Sequence, residues 1–298
     1  MLSVGRILEG AFGLVRERLA AVAIWTAIYL AGNIALMLSF GSIFGIATNP
    51  ATAADPSAVI GVMIPVYLIS FVMGLVGIIL YAAAMRAVLR PDAGGFAYLR
   101  LGMDELRLLG LLILFSIVGF VLMVGFMILL GLLGVGAAMG SQSSGGTVIV
   151  MIVGMIAMFT VMLYFIVRFS LAFPLTLHRG RITLGEAWRL SRGRFWTLFG
   201  AAVVITVLVS VLNMAVSLVT MGSYMFDVMA AAGNPEAAAR AMESQTRSFG
   251  QLGPMMILSS LGGAIVAGLW VALSGGSIAT AAKLLLADEN EDAEDVFG

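Results

Sequence analysis

The stretch LLGLLILFSIVGFVLMVGFMILLGLLGVGAAM, residues 108–139, contains no charged side chain. A helix that crosses the hydrocarbon core of a bilayer needs about 20 apolar residues, and this run is longer. It lacks the alternation of polar and apolar residues that a membrane β-strand requires. The stretch therefore predicts a transmembrane helix, in which every backbone group is bonded within the segment.

The composition of the whole chain agrees with this prediction. The 298 residues are 61% hydrophobic and 11% charged, whereas a soluble domain carries roughly 25% charged residues. The mean hydropathy is +1.09. We therefore predict an all-α, polytopic membrane protein with six transmembrane helices. The expected spans are 19–47, 58–85, 108–139, 148–173, 197–221 and 254–286.

The basic residues indicate how these spans are oriented. Fourteen of the 16 lysines and arginines fall in the N-terminal arm, between spans two and three, between spans four and five, or at the C-terminal end. Arg240 and Arg247 are the two exceptions. Because basic residues accumulate on the cytoplasmic side, we expect a bacterial cytoplasmic (inner) membrane protein with both termini in the cytoplasm.

An internal repeat underlies the six spans. Shifting the chain by 90 residues, twice, aligns glycines, large apolar residues and hydropathy at the same offset. Each unit contains a surface helix, a span, a short outer loop and a returning span, so the fold is predicted as three hairpins, each preceded by an amphipathic interfacial helix. The units cover about 3–92, 93–182 and 183–272. Aligned positions include Gly5, Gly95 and Gly185, and Leu8, Tyr98 and Trp188.

The segment RITLGEAWRLSRGRFW, residues 181–196, predicts the surface helix of the third unit. Thr183 and Glu186 have the spacing of a capping box, which starts a helix. Tryptophan favours the headgroup level of a membrane and arginine pairs with lipid phosphate. Residues 1–19 and 96–109 are the corresponding helices of the other units; a grip on a phosphate substrate is the alternative for 181–196. The candidate lipid or anion contacts are Arg168, Arg189, Arg192, Arg194, Trp188 and Trp196.

Polar residues within the spans are the other candidates. Arg168 lies near the end of span four, where a cation is costly, so we expect its guanidinium to contact an acidic side chain, a carbonyl or a lipid phosphate. An interfacial arginine that reaches water beside Pro174 is the first interpretation, and the alternative is a buried structural pair with Glu186 or an anionic ligand. Asn33 and Asn213 are predicted to form interhelical hydrogen bonds.

The same residues carry a family resemblance. RFSLAFP (168–174), followed by EAWRLSRGRFW (186–196), resembles the signature of a set of bacterial six-span membrane proteins. The set includes the membrane domain of glycerophosphoryl diester phosphodiesterases and related uncharacterised membrane proteins. The matching positions are Arg168, Pro174, Glu186, Ala187, Trp188, Leu190, Ser191 (in place of the usual threonine), Gly193 and Trp196. The resemblance implies the six-span layout but no activity, because the catalytic domain of that family is a separate soluble barrel.

The chain offers few residues for catalysis. His178 is the single histidine and cysteine is absent, which excludes histidine triads, two-histidine metal sites and thiolate sites. Lys283 is the single lysine, so no phosphate-binding loop with Gly-Lys-Ser/Thr exists. We expect no enzyme activity, no metal and no cofactor. The zero net charge argues against nucleic acid as a partner.

The distribution of apolar and acidic residues divides the chain into two predicted regions. Residues 1–286 form the transmembrane domain, and 287–298 form an acidic cytoplasmic tail that is predicted to be disordered. The first functional hypothesis is a scaffold or accessory subunit that binds or organises lipid or a membrane partner, including another membrane protein or a homo-oligomer. The alternative is a transporter or flippase for a lipid-like or small amphiphilic anion.

Overall fold

A computed structural model describes residues 2–47, 55–92, 95–140, 144–231, 234, 236–237, 240 and 254–297. The regular structure of these residues is helical throughout, and a 3₁₀ turn over Phe96–Tyr98 lies between the third and fourth helices. The helices are α1 (Val4–Glu17), α2 (Leu19–Ala47), α3 (Pro56–Leu89), α4 (Met103–Gly140), α5 (Ser144–Phe169), α6 (Ala172–Arg179), α7 (Leu184–Leu190), α8 (Phe195–Ala230) and α9 (Pro254–Phe297).

The described residues contain six helices that are long and apolar enough to cross a membrane. They are α2, α3, α4, α5, α8 and α9, and each corresponds to one predicted span. The prediction of an all-helical chain with six spans is therefore confirmed. Several helices continue past the predicted ends, because polar residues can extend a helix beyond the hydrocarbon core.

Helix α3 shows how local sequence starts a span. Asp55 is the N-cap, and its carboxylate accepts the Ser57 backbone N–H at 2.9 Å and the Ser57 hydroxyl at 2.7 Å. Pro56 occupies the first helical position, where the missing N–H costs nothing. Hydrogen bonds from Ser57 to the charged form of Asp55 hold the pKa of this carboxyl below its usual range.

The chain divides into two compact units. The first unit comprises Gly5–Arg100 and Ala201–Thr280, and the second comprises Met1–Val4, Leu101–Gly200 and Ala281–Gly298. In the first unit, α1 buries one face formed by Ile7, Ala11 and Leu14. This helix therefore packs its apolar face against protein, and Phe12 is the exposed large apolar residue in it.

Glycines allow close helix approach within the first unit. A Cβ at Gly268 of α9 would overlap the Thr26 side chain of α2, and the Thr26 Cα is only 3.3 Å from that position. A Cβ at Gly32 of α2 would likewise overlap Met73 of α3. Small residues at these contacts let helices pack by van der Waals contact where lipid supplies no hydrophobic driving force.

In the second unit, α4 packs against α5 and α6. A Cβ at Gly154 of α5 would overlap Leu130 of α4. The ring of Phe115 on α4 lies 5.5 Å from that of Phe169 and 5.8 Å from that of Phe173, between ring centroids. Through these contacts the C-terminal end of α5 and the short helix α6 pack against the N-terminal part of α4.

Two sequence predictions are wrong. The surface helix predicted over 96–109 begins only at Met103, because Ala97 and Tyr98 have φ values of 51° and 60° that interrupt any helix. The segment after 286, predicted to be disordered, continues α9 as far as Phe297. The charge of its acids is partly offset by two arginines, as described below.

Candidate functional site

Residues 168–196 form a compact series of short helices in the second unit. Helix α6 ends at Gly180, whose φ of 66° is left-handed and whose N–H donates to the Thr176 carbonyl. Gly193 has a φ of 77° and turns the chain between α7 and α8. Glycine is suited to both places because a side chain would be strained at these angles.

Arg168 is held by aromatic rings. The side chain is in the last turn of α5 and the residue is only 5% exposed. Its Cζ atom lies 4.1 Å from the centroid of the Trp188 ring and 5.9 Å from that of the Tyr164 ring. A cation over the face of an aromatic ring is attracted by the negative charge on that face, most strongly where water is excluded.

One donor of Arg168 remains unused. Its Nε is buried and has no hydrogen-bond partner among the residues that the structure describes. A buried N–H of a charged group is costly when it lacks an acceptor. Nε is therefore an unsatisfied donor, and an acceptor from outside the chain would reach it only after the surrounding side chains move.

Further rings surround the Arg168–Trp188 contact. The centroid of Trp188 lies 5.3 Å from that of Phe169 and 6.3 Å from that of Phe165. Tyr164 lies 5.5 Å from Phe195, the first residue of α8. The cluster joins α5, α7 and α8, and it gives Arg168 an apolar, water-poor environment.

The predicted pair between Arg168 and Glu186 is not formed. Instead, Arg179 donates to Oε1 of Glu186 through Nε at 3.1 Å and through Nη2 at 2.9 Å. Both residues lie at the ends of helices α6 and α7 that meet at the Gly180 turn, so their side chains are adjacent. Glu186 therefore neutralises Arg179, and Arg168 contacts the Trp188 ring instead of an acid.

The predicted capping box is also not formed. Helix α7 begins at Leu184 as expected, but Thr183 makes no side-chain cap bond. Its Oγ1 is buried without a hydrogen-bond partner within the described part of the chain. Glu186, the other member of the box, is engaged by Arg179.

The remaining arginines of 181–196 differ in their contacts. Arg189 pairs with Glu289 at 2.6 Å and Arg194 with Asp288 at 3.6 Å, both acids of α9 within the second unit. Arg192 is exposed. The acidic end of α9 therefore covers two of the four predicted basic contacts.

The two tryptophans also differ in exposure. Trp196 is 77% exposed, and its ring lies 5.3 Å from that of Phe195 and 5.9 Å from that of Phe199. Trp188 is 37% exposed, with one face on Arg168. Trp196 therefore presents an indole outward at the start of α8, where a headgroup layer would accept it.

The two intramembrane asparagines have different environments. Asn33 of α2 donates from Nδ2 to the Ser260 carbonyl of α9 at 3.5 Å, an interhelical hydrogen bond of the predicted kind. Asn213 of α8 is exposed and makes no such bond to the residues that the structure describes. The prediction for Asn213 is therefore not met among the described residues.

Sequence analysis missed a buried polar cluster in the first unit. Arg86 is 2% exposed and its Nη1 donates to the Tyr98 carbonyl at 2.7 Å. Trp25 is fully buried and its Nε1 donates to the Ala97 carbonyl at 3.1 Å. These two bonds hold the left-handed turn at Ala97 and Tyr98, so Tyr98 is buried and is not a counterpart of Trp188. The basic residue in the last turn of α3 was the one available signal.

The described residues contain no group of three histidine, cysteine or acidic side chains placed to hold a metal ion. A scan against protein-family models, a search of curated proteins and a search of solved structures each give no match to this chain. The site is therefore interpreted from its own geometry: a buried, incompletely hydrogen-bonded cation beside exposed indole and guanidinium groups.

Proposed function

We propose that this chain is a non-catalytic membrane protein that binds anionic lipid at residues 168–196 and acts as a scaffold or accessory subunit. The ligand is a phospholipid headgroup, which brings a phosphate to the arginines while its acyl chains lie against the apolar spans. The proposed location is the bacterial inner membrane, with residues 168–196 on the cytoplasmic side.

Arg168 is the observation that carries the proposal. The residue is 5% exposed, its guanidinium is stacked on Trp188, and its Nε lacks an acceptor within the described chain. A phosphate oxygen is the acceptor that a guanidinium prefers, because the bond is charge-assisted on both sides. A headgroup phosphate at the exposed edge of Trp188 would supply that acceptor once the side chains that bury Nε move aside.

Two further features support the proposal. Trp196 and Arg192 are exposed on the same short segment, a combination typical of the headgroup layer. The uneven distribution of basic residues favours a cytoplasmic surface for this segment. The same proposal includes three expectations from the sequence. These are the resemblance to the six-span bacterial membrane family, the arrangement as three hairpins, and the interfacial position of α1 and α7.

The polar contacts between α2 and α9 favour a scaffold over the transporter alternative. Asn33 donates to a carbonyl of α9, and Ser260 also donates from its hydroxyl to the Met37 sulfur of α2 at 3.0 Å. Polar groups that cross-link spans in this way stiffen the bundle. A transport path instead needs polar groups that remain available to the substrate.

The test compares retention of lipid by the full-length protein and its variants. Native mass spectrometry after incubation with phosphatidylglycerol or phosphatidylcholine measures how many lipids remain bound. We expect selective retention of phosphatidylglycerol, a strong loss in Arg168→Leu and a partial loss in Arg168→Lys, which keeps the charge but not the planar fork. Arg240→Leu, a basic residue on the predicted outer side, is the matched control and should retain lipid as the parent does.

A second variant protects the test from misfolding. Arg192 is exposed, so Arg192→Gln should keep the thermal stability of the parent and still weaken phosphatidylglycerol retention. Equal retention in the parent, Arg168→Leu and Arg192→Gln would refute the lipid site. Movement of a labelled anionic lipid between leaflets of proteoliposomes containing the protein would support the flippase alternative instead.

A further inference from the structure

Helix α8 carries a row of hydroxyl and amide side chains along one side. The row consists of Thr206, Ser210, Asn213, Ser217 and Thr220, and the steps between them alternate between four and three residues. This is the spacing of the contact positions between two helices that wind around each other. We call these five residues the polar row.

The polar row lies inside the membrane span and away from the packed face of α8. The span covers Phe195–Thr220. Buried positions Ala201, Ile205 and Val209 define the packed face, which contacts α1 and α9 in the first unit. At 3.6 residues per turn, the polar row is centred about 100° around the helix from that face. Thr206, Ser210, Asn213 and Ser217 are all exposed.

Most members of the polar row have unused hydrogen-bonding groups. Several hydroxyls in other spans are bonded to carbonyls three or four residues earlier: those of Ser39, Thr160, Ser259 and Ser277. Thr220 does the same with the Val216 carbonyl at 2.9 Å. The side chains of Thr206, Ser210, Asn213 and Ser217 make no hydrogen bond to the residues that the structure describes. Facing lipid, the Asn213 amide would lose its hydrogen bonds with water and gain none.

We propose that the polar row is the contact surface of a homodimer, in which α8 of one copy packs against α8 of a second. Serine, threonine and asparagine each donate and accept, so the row is complementary to itself. Copies inserted in the same orientation are related by a twofold axis along the membrane normal, which places every position opposite its own counterpart. Asn213, in the middle of the row, would bond to Asn213 of the partner subunit and fix the register, as a single asparagine does in coiled coils.

The chain lacks cysteine, so a single introduced thiol reports this contact directly. Ser217→Cys changes one atom in the row and leaves Asn213 in place. In membranes containing the full-length protein, mild oxidation should link Ser217→Cys chains into dimers, because a disulfide requires Cα atoms within about 7 Å. Val211→Cys is the matched control: Val211 is 57% exposed on the same helix but lies on the opposite side. It should remain a monomer.

A second substitution tests the role of the asparagine. Asn213→Leu in the Ser217→Cys background should slow cross-linking roughly tenfold, because the interhelical hydrogen bond is removed. Ser116→Leu replaces an isolated exposed hydroxyl on α4 and should leave the rate unchanged. Thermal unfolding of each variant in detergent verifies that the fold is retained.

Two results would overturn the dimer. Equal cross-linking rates for Ser217→Cys and Val211→Cys would show that the polar row is not a contact between copies. Rapid reaction of Ser217→Cys with a membrane-impermeant maleimide would show instead that the row lines a water-filled path. Neither result depends on lipid binding at residues 168–196, so the dimer and the lipid site are tested independently.

Discussion

Arg168 illustrates, at the scale of one residue, how a cation is accommodated near the end of a membrane span. An acidic partner was the expectation from the sequence, because a lone cation in a span costs roughly 2.5–3.5 kcal/mol on insertion scales. In the structure the guanidinium lies over the face of the Trp188 ring instead, with Cζ 4.1 Å from the ring centroid. The acid Glu186 pairs with Arg179. An aromatic face attracts the charge but accepts no conventional hydrogen bond, which is why Nε has no hydrogen-bond partner among the described residues.

The stacking predicts an order of stability among substitutions. Trp188→Leu should lower the free energy of unfolding by about 2 kcal/mol or more, because the ring is lost both as packing surface and as a cation partner. Glu186→Gln should cost less, since the Arg179 side chain that it pairs with is 42% exposed. Trp196→Leu is the control, because no cation lies over the Trp196 ring among the described residues. Thermal unfolding in detergent measures all three, and a larger loss in Glu186→Gln than in Trp188→Leu would contradict this order.

At the scale of the element, the C-terminal end of α9 is the largest departure from expectation. Six acids in residues 288–295 predict repulsion from an anionic membrane and disorder. The helix nevertheless continues to Phe297, and Asp288 and Glu289 pair with Arg194 and Arg189. The positive charges of these two arginines, which lie elsewhere in the second unit, therefore offset the repulsion among the acids that disfavours a helix here.

This pairing predicts a change in membrane binding. The double substitution Asp288→Asn and Glu289→Gln should free both arginines and raise the affinity of the detergent-solubilised protein for phosphatidylglycerol roughly fivefold per arginine, since each contributes about 1 kcal/mol near an anionic surface. The gain should shrink as salt is raised, because both pairs are partly exposed. Titration of the solubilised protein with phosphatidylglycerol measures the affinity. Asp92→Asn, an exposed acid outside this contact, should have no comparable effect; the same gain there would indicate a general charge effect.

At the scale of the whole molecule, the distribution of arginine predicts the topology. A reporter inserted in 178–182 or fused after Phe297 should be cytoplasmic, and one inserted in 141–146 should be external. Paired fusions to a cytoplasm-active fluorescent protein and a periplasm-active phosphatase measure both sides. Phosphatase activity at 178–182, or fluorescence at 141–146, would contradict the orientation and remove the support for a cytoplasmic lipid site.

The sequence by itself determined the number, order and approximate ends of the spans. The reason is that the bilayer thickness sets how many consecutive apolar residues a spanning helix needs, and such a run can be read from the local sequence. It also indicated the start of α7 and the interhelical role of Asn33. It did not predict the left-handed turn at Ala97 and Tyr98, which is held by Arg86 and Trp25 from elsewhere in the first unit.

Partners were decided only by the tertiary structure. Glu186 is the nearest acid after Arg168 along the chain, yet the turn at Gly180 brings it to Arg179. Likewise, the acids of α9 reach arginines about one hundred residues earlier in the chain. Such pairings depend on the direction in which side chains leave their helices and on which helices pack together, and neither is encoded in the spacing of a single segment.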